Sequence, residues 1–177
     1  MQPFLDIGFG NFVFPLQTSI ILNPNSQPVI RLIKESKKNN NCFDISQGNK
    51  TRAVIVLKTG KIILSAVNSK TIKNRYLEYI DKVNQGNSFI YINPFLEIGF
   101  ENYVLPENVE VILNPNSQPT VRLVKNAKNN NNCFDIRQGK KTRAVIVLKT
   151  GEIVLSAIEA KTIRNRFLKY VNKINGI

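Results

Sequence analysis

The chain repeats itself. Residues 3–84 return as residues 94–175 at a constant offset of 91 positions, without insertion, and 54 of the 82 paired positions are identical. Asn23-Pro24-Asn25-Ser26-Gln27-Pro28 recurs as Asn114–Pro119, and Thr51–Gly60 recurs as Thr142–Gly151. The period exceeds the roughly 20 to 50 residues of solenoid repeats. Each copy has the size of a small domain that buries only a modest core, so docking to its twin or to other chains would add stability. The expected organisation is two domains, 1–86 and 87–177. They read as a built-in pseudo-dimer or as half of a larger symmetric assembly.

The formal net charge is +13 over 177 residues, with +7 in residues 1–88 and +6 in residues 89–177. Charge shared by both folded units points to a surface that meets phosphate rather than to a basic tail. A compositional bias toward Lys and Asn, as in an AT-rich genome, accounts for the same numbers with Lys merely solvated. The chain has no His, and its two Cys, Cys42 and Cys133, occupy the same place in each copy. That is too few soft ligands for zinc, and it rules out Ser-His and Cys-His nucleophile pairs. The carboxylate positions common to both copies, Asp6/Glu97 and Asp44/Asp135, read as structural. No catalytic residue, metal, cofactor or small-molecule substrate is expected. Each Cys reads as a small buried hydrophobe in a reducing compartment. There is no basic n-region followed by a long apolar stretch, so no signal peptide is expected. The least polar stretch, Phe89–Phe100, is interrupted by Asn93, Pro94 and Glu97, which excludes a membrane span.

Periodicity predicts an α+β unit, a small and mostly antiparallel sheet with two helices, present twice. Phe4–Ile7 reads as a strand running into Gly8–Asn11, and Ser19–Leu22 as a second strand after a turn near Pro15. Ser26 is a good helix N-cap, and Pro28 fits the first turn. Val29, Leu32 and Ile33 then share one helical face, opposite Arg31, Lys34, Glu35 and Lys38, until Asn39–Asn41 end the helix. Cys42–Ile45 alternates as a strand. Arg52–Leu57 is β-branched and central, and Ile62–Ala66 is its hairpin partner across Lys58–Lys61. A last helix follows Ser69, with Ile72, Tyr76, Ile80 and Val83 on one face. Asn84–Ser88 reads as a linker, and Phe89–Asn93 as a lead-in to the next strand.

Four segments in one collinear order carry a resemblance: Asp6–Asn11, Pro24–Pro28, Gly48–Val56 and Leu64–Val67, each repeated in the second copy. The chain resembles the bacterial extracellular-matrix regulatory protein A family, the RemA family, over about 75 residues of each copy. The resemblance implies a LytTR-like unit and a small DNA-binding transcriptional regulator acting in matrix and biofilm gene control. It implies homo-oligomers that close into a ring and wrap double-stranded DNA by backbone contacts. It also implies a cytoplasmic, nucleoid-associated protein, with an organelle stroma left open. The family's typical member is one unit, so here each chain would supply two seats.

The resemblance places the DNA-contacting residues in the basic turn: Gly48, Asn49, Lys50, Thr51 and Arg52, and their counterparts Gly139, Lys140, Lys141, Thr142 and Arg143. The family's pattern there is Gly-Arg-Arg-Thr-Arg-Ala. The first arginine is Asn49 or Lys140, the second Lys50 or Lys141, and a further family arginine upstream is Gln17 or Asn108. Lysine neutralises phosphate but lacks the planar fork of arginine, so binding with weaker sequence preference is expected. Two other readings of the turn stand beside this one: a solvated hairpin, and pairing of Arg52 and Arg143 with Asp44 and Asp135 on neighbouring strands. Repeat two gains Arg137 and Lys140 in place of Ser46 and Asn49. It also carries Glu101, Glu107 and Glu110 in place of Gly10, Leu16 and Ser19. The expectation is a division of labour, with Gln138–Thr142 as the stronger phosphate contact and the glutamates facing a basic surface of another unit. The rival reading is an assembly or protein-interaction module that has lost DNA binding. RNA is disfavoured because most aromatic residues read as core.

Overall fold

The computed structural model describes residues 4–86 and 95–174. Repeat one runs β1 (Leu5–Gly8), β2 (Asn11–Val13), a 3-10 turn at Pro15–Gln17, β3 (Thr18–Leu22), α1 (Gln27–Lys38), β4 (Cys42–Asp44), β5 (Ala53–Leu57), β6 (Ile62–Ser65) and α2 (Ser69–Gly86). Repeat two follows the same plan. It runs β7 (Leu96–Gly99), β8 (Asn102–Val104), a 3-10 turn at Pro106–Asn108, β9 (Val109–Leu113), α3 (Gln118–Asn129), β10 (Cys133–Asp135), β11 (Ala144–Leu148), β12 (Ile153–Ser156) and α4 (Ala160–Ile174). The protein is α+β, each repeat combining a mostly antiparallel sheet with two helices. Helix α2 takes in Asn84–Gly86, which the sequence reading assigned to a linker. The rest of that linker, the domain boundary at 86/87 and the lead-in over Phe89–Asn93 lie outside the described residues.

Local chemistry explains the helix limits. Pro28 and Pro119 sit in the first turn of α1 and α3, where their missing N–H costs nothing. Asn40 and Asn131 adopt positive φ of 53° and 54° just past the last turn, a conformation that Asn tolerates. The expected cap is only half right. The Ser117 hydroxyl accepts from Thr120 N at 3.3 Å, whereas Ser26 makes no side-chain cap bond and its buried Oγ has no hydrogen-bond partner.

The sheets cross the repeat boundary. Within repeat one, β5 is central, flanked by antiparallel β3 and β6, and β4 adds parallel to β6. The next strand comes from repeat two. β8 pairs antiparallel with β3, Ile20 opposite Val104 and Ile21 opposite Tyr103, and β7 follows, giving six strands in the order β4-β6-β5-β3-β8-β7. Repeat two's remaining strands form a sheet of order β10-β12-β11-β9, and β1 with β2 form a separate two-stranded sheet. Each amino-terminal hairpin thus leaves its own repeat's main sheet. The hairpin strand β2, and β8 with it, was not expected from the sequence, which offered only a turn there.

The hairpin is nonetheless bolted to its own helix. Ser65 Oγ donates to Ile7 O at 2.6 Å and accepts from Val67 N at 2.9 Å, and Ser156 does the same for Ile98 O and Ile158 N. Arg75 on α2 donates to Asp6 O and pairs with its carboxylate at 3.2 Å. Arg166 on α4 holds Glu97 likewise, at 3.0 Å to the carbonyl and 3.6 Å to the carboxylate. Asp6 and Glu97 are therefore structural, as their sequence positions implied. Two of the three hydrophobic clusters draw on both repeats. Ile20, Leu22, Val54, Val56 and Leu64 share one cluster with Ile98, Val104, Ile146 and Leu148, while Ile21, Ile55, Ile72 and Tyr76 meet Phe95, Tyr103 and Leu105 on the other face. Burying each of those last three side chains is worth on the order of 1.5–3 kcal/mol.

Two glycines of the hairpin turn behave differently. Gly8 has φ +108°, and a Cβ there would lie 2.7 Å from Val67 Cγ2; Gly10 has φ +72° in open space, where repeat two carries Glu101 at φ 57°. Gly8→Ala is expected to cost about 1–3 kcal/mol in urea unfolding, more than Gly10→Glu, whose side chain meets open space. Equal losses would contradict this account of the turn.

Candidate nucleic-acid interface

The basic turn leaves β4, or β10, at an aspartate. In repeat one Asp44 Oδ1 accepts from Ser46 N at 3.1 Å and from Ser46 Oγ at 2.6 Å, while Asp44 Oδ2 pairs with Lys37 at 2.8 Å. Gln47 and Gly48 then reverse the chain at φ 51° and 78°, and Asn49 closes the turn through N and Nδ2 onto Ser46 O, each at 3.0 Å. Arg52 N bonds Ser65 O at 2.8 Å and delivers the chain into β5. Gly48 therefore serves the left-handed turn. Asn49, Lys50 and Arg52 are exposed, and Thr51 is half-buried.

Repeat two uses a different bracket. Arg137 grips Asp135 with Nε on Oδ1 at 2.8 Å and Nη2 on Oδ2 at 2.5 Å, and Nη1 reaches Thr142 Oγ1 at 2.9 Å. Lys140 N bonds Arg137 O at 3.1 Å, Gly139 carries φ 81°, and Lys140 Nζ stands 5.0 Å from the centre of the Phe100 ring. Lys140, Lys141 and Arg143 are exposed. A cleft of about 370 Å³ opens beside them, lined by Asn114, Lys141, Thr142, Arg143, Glu159 and Lys161 among others. The start of α4 and the turn before α3 thus converge on the basic turn. The sequence reading missed Lys161 and Glu159, although their place just before and within the first turn of α4 was a usable signal.

Several expectations are corrected. Arg52 and Arg143 do not pair with Asp44 and Asp135, because Lys37 and Arg137 hold those carboxylates; Arg143 pairs instead with Glu159 at 2.8 Å. Arg137 is not a spare cation for a partner, since its fork is spent on Asp135 and Thr142. Asn108, at the upstream position where the family has arginine, lies buried and donates to Thr18 O at 2.6 Å between the repeats. Cys42 and Cys133 are half-buried rather than buried. Burial still pushes both thiols up, Cys133 to about 11, so both stay protonated and weakly nucleophilic near neutrality. Among the described residues no group of three or more His, Cys, Asp or Glu is placed to hold a metal, and no helix is long and apolar enough to cross a membrane.

The family described as "RemA-like: Extracellular matrix regulatory protein A-like" matches residues 4–76 and again 95–167, so the chain belongs to the RemA-like family and carries its unit twice. It is 43% identical over 75 residues to a Maridesulfovibrio salexigens protein named "Putative regulatory protein", covering 42% of this chain and 87% of the relative. An Oleidesulfovibrio alaskensis protein of the same name is 43% identical over 77 residues, covering 44% of this chain and 92% of the relative. One repeat therefore accounts for nearly the whole of each relative.

The bracket at the turn has a pH signature. Hydrogen bonds from Lys37 and then Ser46 pull the Asp44 carboxyl down to about 2 from an ordinary 3.8. A carboxyl depressed in the folded state stabilises the fold above its unfolded value, and that contribution fades as pH falls toward 2. Wild type is expected to lose its stability advantage over Asp44→Asn between about pH 4 and 2, read by thermal unfolding across that range. An advantage that persists unchanged to pH 2 would contradict the Lys37–Asp44 bracket.

Proposed function

We propose that the protein is a DNA-binding transcriptional regulator of the bacterial cytoplasm. It contacts the duplex backbone through the two basic turns, within a ring-like homo-oligomer and without catalysis. The observation that supports this reading is the repeated arrangement of exposed cations on loops whose backbones are fixed. Lys50 with Arg52, and Lys140 with Lys141 and Arg143, leave the surface at equivalent places beside each central strand. Cations carried on a fixed backbone neutralise phosphate and release counterions without a loop having to order on binding. Lys161 extends the basic surface around the cleft in repeat two. The names of the relatives fit a regulatory role, and control of matrix genes is the finer part of this proposal. Among the described residues the carboxylates near the turns pair with Lys37, Arg137 and Arg143.

The guanidinium pairs of repeat two favour a second reading. Arg137 and Arg143 are tied to Asp135 and Glu159, as they would be in an interaction module that no longer meets DNA. Binding to a labelled AT-rich duplex over a salt series separates the two. Wild type is expected to bind with affinity falling steeply in salt. Lys50→Ala/Lys140→Ala/Lys141→Ala should bind weakly, with a log–log slope shallower by about 0.9 for each lost phosphate contact. Lys140→Glu/Lys141→Glu should harm binding more than Lys50→Glu if the repeats divide the work. Absence of wild-type binding at low salt supports the module reading, and competition by single-stranded RNA would redirect the nucleic-acid assignment.

A further inference from the structure

The two basic turns carry an arginine at the same place, Arg52 and Arg143, but the two guanidinium groups have different neighbours. Arg143 Nη1 donates to Glu159 Oε1 at 2.8 Å. The equivalent of Glu159 in repeat one is Asn68, which carries no charge. Arg52 gives its backbone N–H to Ser65 O, and among the described residues its exposed guanidinium takes no hydrogen bond or ion pair. Other basic side chains of repeat two's turn are also drawn inward. Arg137 is engaged by Asp135 and Thr142, and Lys140 stands 5.0 Å from the centre of the Phe100 ring. Lys50 is exposed and without such a partner among the described residues. An acid does reach the neighbourhood of Arg52, because Glu101 O accepts from Ser69 Oγ at 2.7 Å, yet the Glu101 carboxylate forms no ion pair with Arg52 or Lys70.

Asn68 and Glu159 both open a helix, and they use their side chains differently. Asn68 O accepts from Ile72 N, and Asn68 Oδ1 accepts from Thr71 N at 2.8 Å, so the side chain caps α2. Glu159 O accepts from Ile163 N at 3.1 Å in the same way before α4, but its carboxylate makes no cap bond and goes to Arg143 instead. Glutamate is not among the preferred caps. The exchange of asparagine for glutamate thus gives up a local bond and gains a counter-ion for Arg143. The two side chains are 57% and 59% exposed, and an ion pair that open to water adds little to the fold. It lies instead in the cleft of about 370 Å³, one carboxylate among Lys141, Arg143 and Lys161. Its effect therefore falls on whatever meets that surface.

We propose that Glu159 is a positioning residue that withholds Arg143 from DNA, so that the chain presents a free guanidinium at repeat one's turn and only ammonium groups at repeat two's. This rests on the DNA-binding reading given above and assigns unequal roles within it. A guanidinium makes paired, directed bonds to a phosphate and fits a narrow groove, whereas an ammonium is a point charge. A carboxylate bound to the guanidinium occupies part of its fork and offsets its charge. For Arg143 to meet a phosphate it has to leave Glu159, and a bare carboxylate then faces the duplex. Repeat two's turn therefore supplies counter-charge through Lys140 and Lys141, and repeat one's supplies the directed contact through Arg52. The number of cations alone would rank repeat two's turn first; their partners place the guanidinium contact in repeat one.

The full chain is titrated with a labelled AT-rich duplex over a salt series, as wild type, Arg52→Ala, Glu159→Asn and Glu159→Asn/Arg143→Ala. Arg52→Ala is expected to bind several-fold more weakly, with a log–log slope shallower by about 0.9. Glu159→Asn should bind several-fold more tightly, with a slope steeper by about 0.9 as Arg143 is recruited. Adding Arg143→Ala should remove that gain and return affinity to within about twofold of wild type, because a pair that offset itself has been deleted. A structural role for Glu159 would leave the slope unmoved, and plain repulsion of DNA by its charge would give a gain that survives Arg143→Ala. All three side chains are exposed, and Glu159→Asn supplies the side chain that caps α2 at Asn68, so the variants keep the fold. Four results would each overturn the inference while leaving DNA binding in place: an Arg52→Ala that binds as wild type does, a Glu159→Asn no tighter than wild type, a gain untouched by Arg143→Ala, or a double variant far weaker than wild type. Absence of binding by wild type and every variant at low salt would remove the DNA reading and this inference together.

Discussion

The pairing of β8 with β3 is the contact on which the rest of the architecture rests. An open β3 edge would leave a row of backbone donors and acceptors without ladder partners, next to the most apolar strands of repeat one. The repeat-two hairpin fills that edge and places Phe95, Tyr103 and Leu105 over Ile21 and Tyr76, so both faces of β3 are dry. Its attachment at home is carried by side chains, Ser156 onto Ile98 O and Arg166 onto Glu97, rather than by a strand ladder, as is that of the repeat-one hairpin. Division of the hairpin between a home helix and a foreign sheet makes two of the hydrophobic clusters common to both repeats.

The sequence was most readable where the physics is local. The duplication, the helix faces, the prolines in the first turns and the β-branched run Ala53–Leu57 each carry their own periodicity or cap. It was least readable where the stabilising partner is remote. Strand β2 is three residues long, and its counterpart β8 owes its burial to a ladder with residues over eighty positions away. No pattern within Asn11–Val13 announces that. The same holds for the carboxylates. Asp44 and Arg52 look paired across neighbouring strands, yet Lys37 on the last turn of α1 is nearer, and Arg143 is drawn to Glu159 beside α4. Sequence supplied the correct list of charged groups without the rule that matched them.

Duplication exposes how far environment departs from identity. Cys-Phe-Asp-Ile occurs unchanged at Cys42–Ile45 and Cys133–Ile136, but Phe43 stands in solvent while Phe134 packs against α1 of the other repeat. Burial therefore raises the Cys133 thiol to about 11 while Cys42 rises less far. The basic turns diverge in the same manner. One is braced by a neutral serine and the other by an arginine fork, and Arg143 faces Glu159 where the repeat-one counterpart is Asn68, whose side chain caps Thr71 N on α2.

This divergence bears on why lysines can stand where the family has arginines. Under the function proposed here, a single lysine turn would meet phosphate without the planar geometry that reads a narrow groove. With two such turns on one chain, the second contact would be made at the high effective concentration set by the first. Affinity then resides in the number and spacing of turns more than in any one of them, and loss of a guanidinium at one position is tolerated provided the spacing holds.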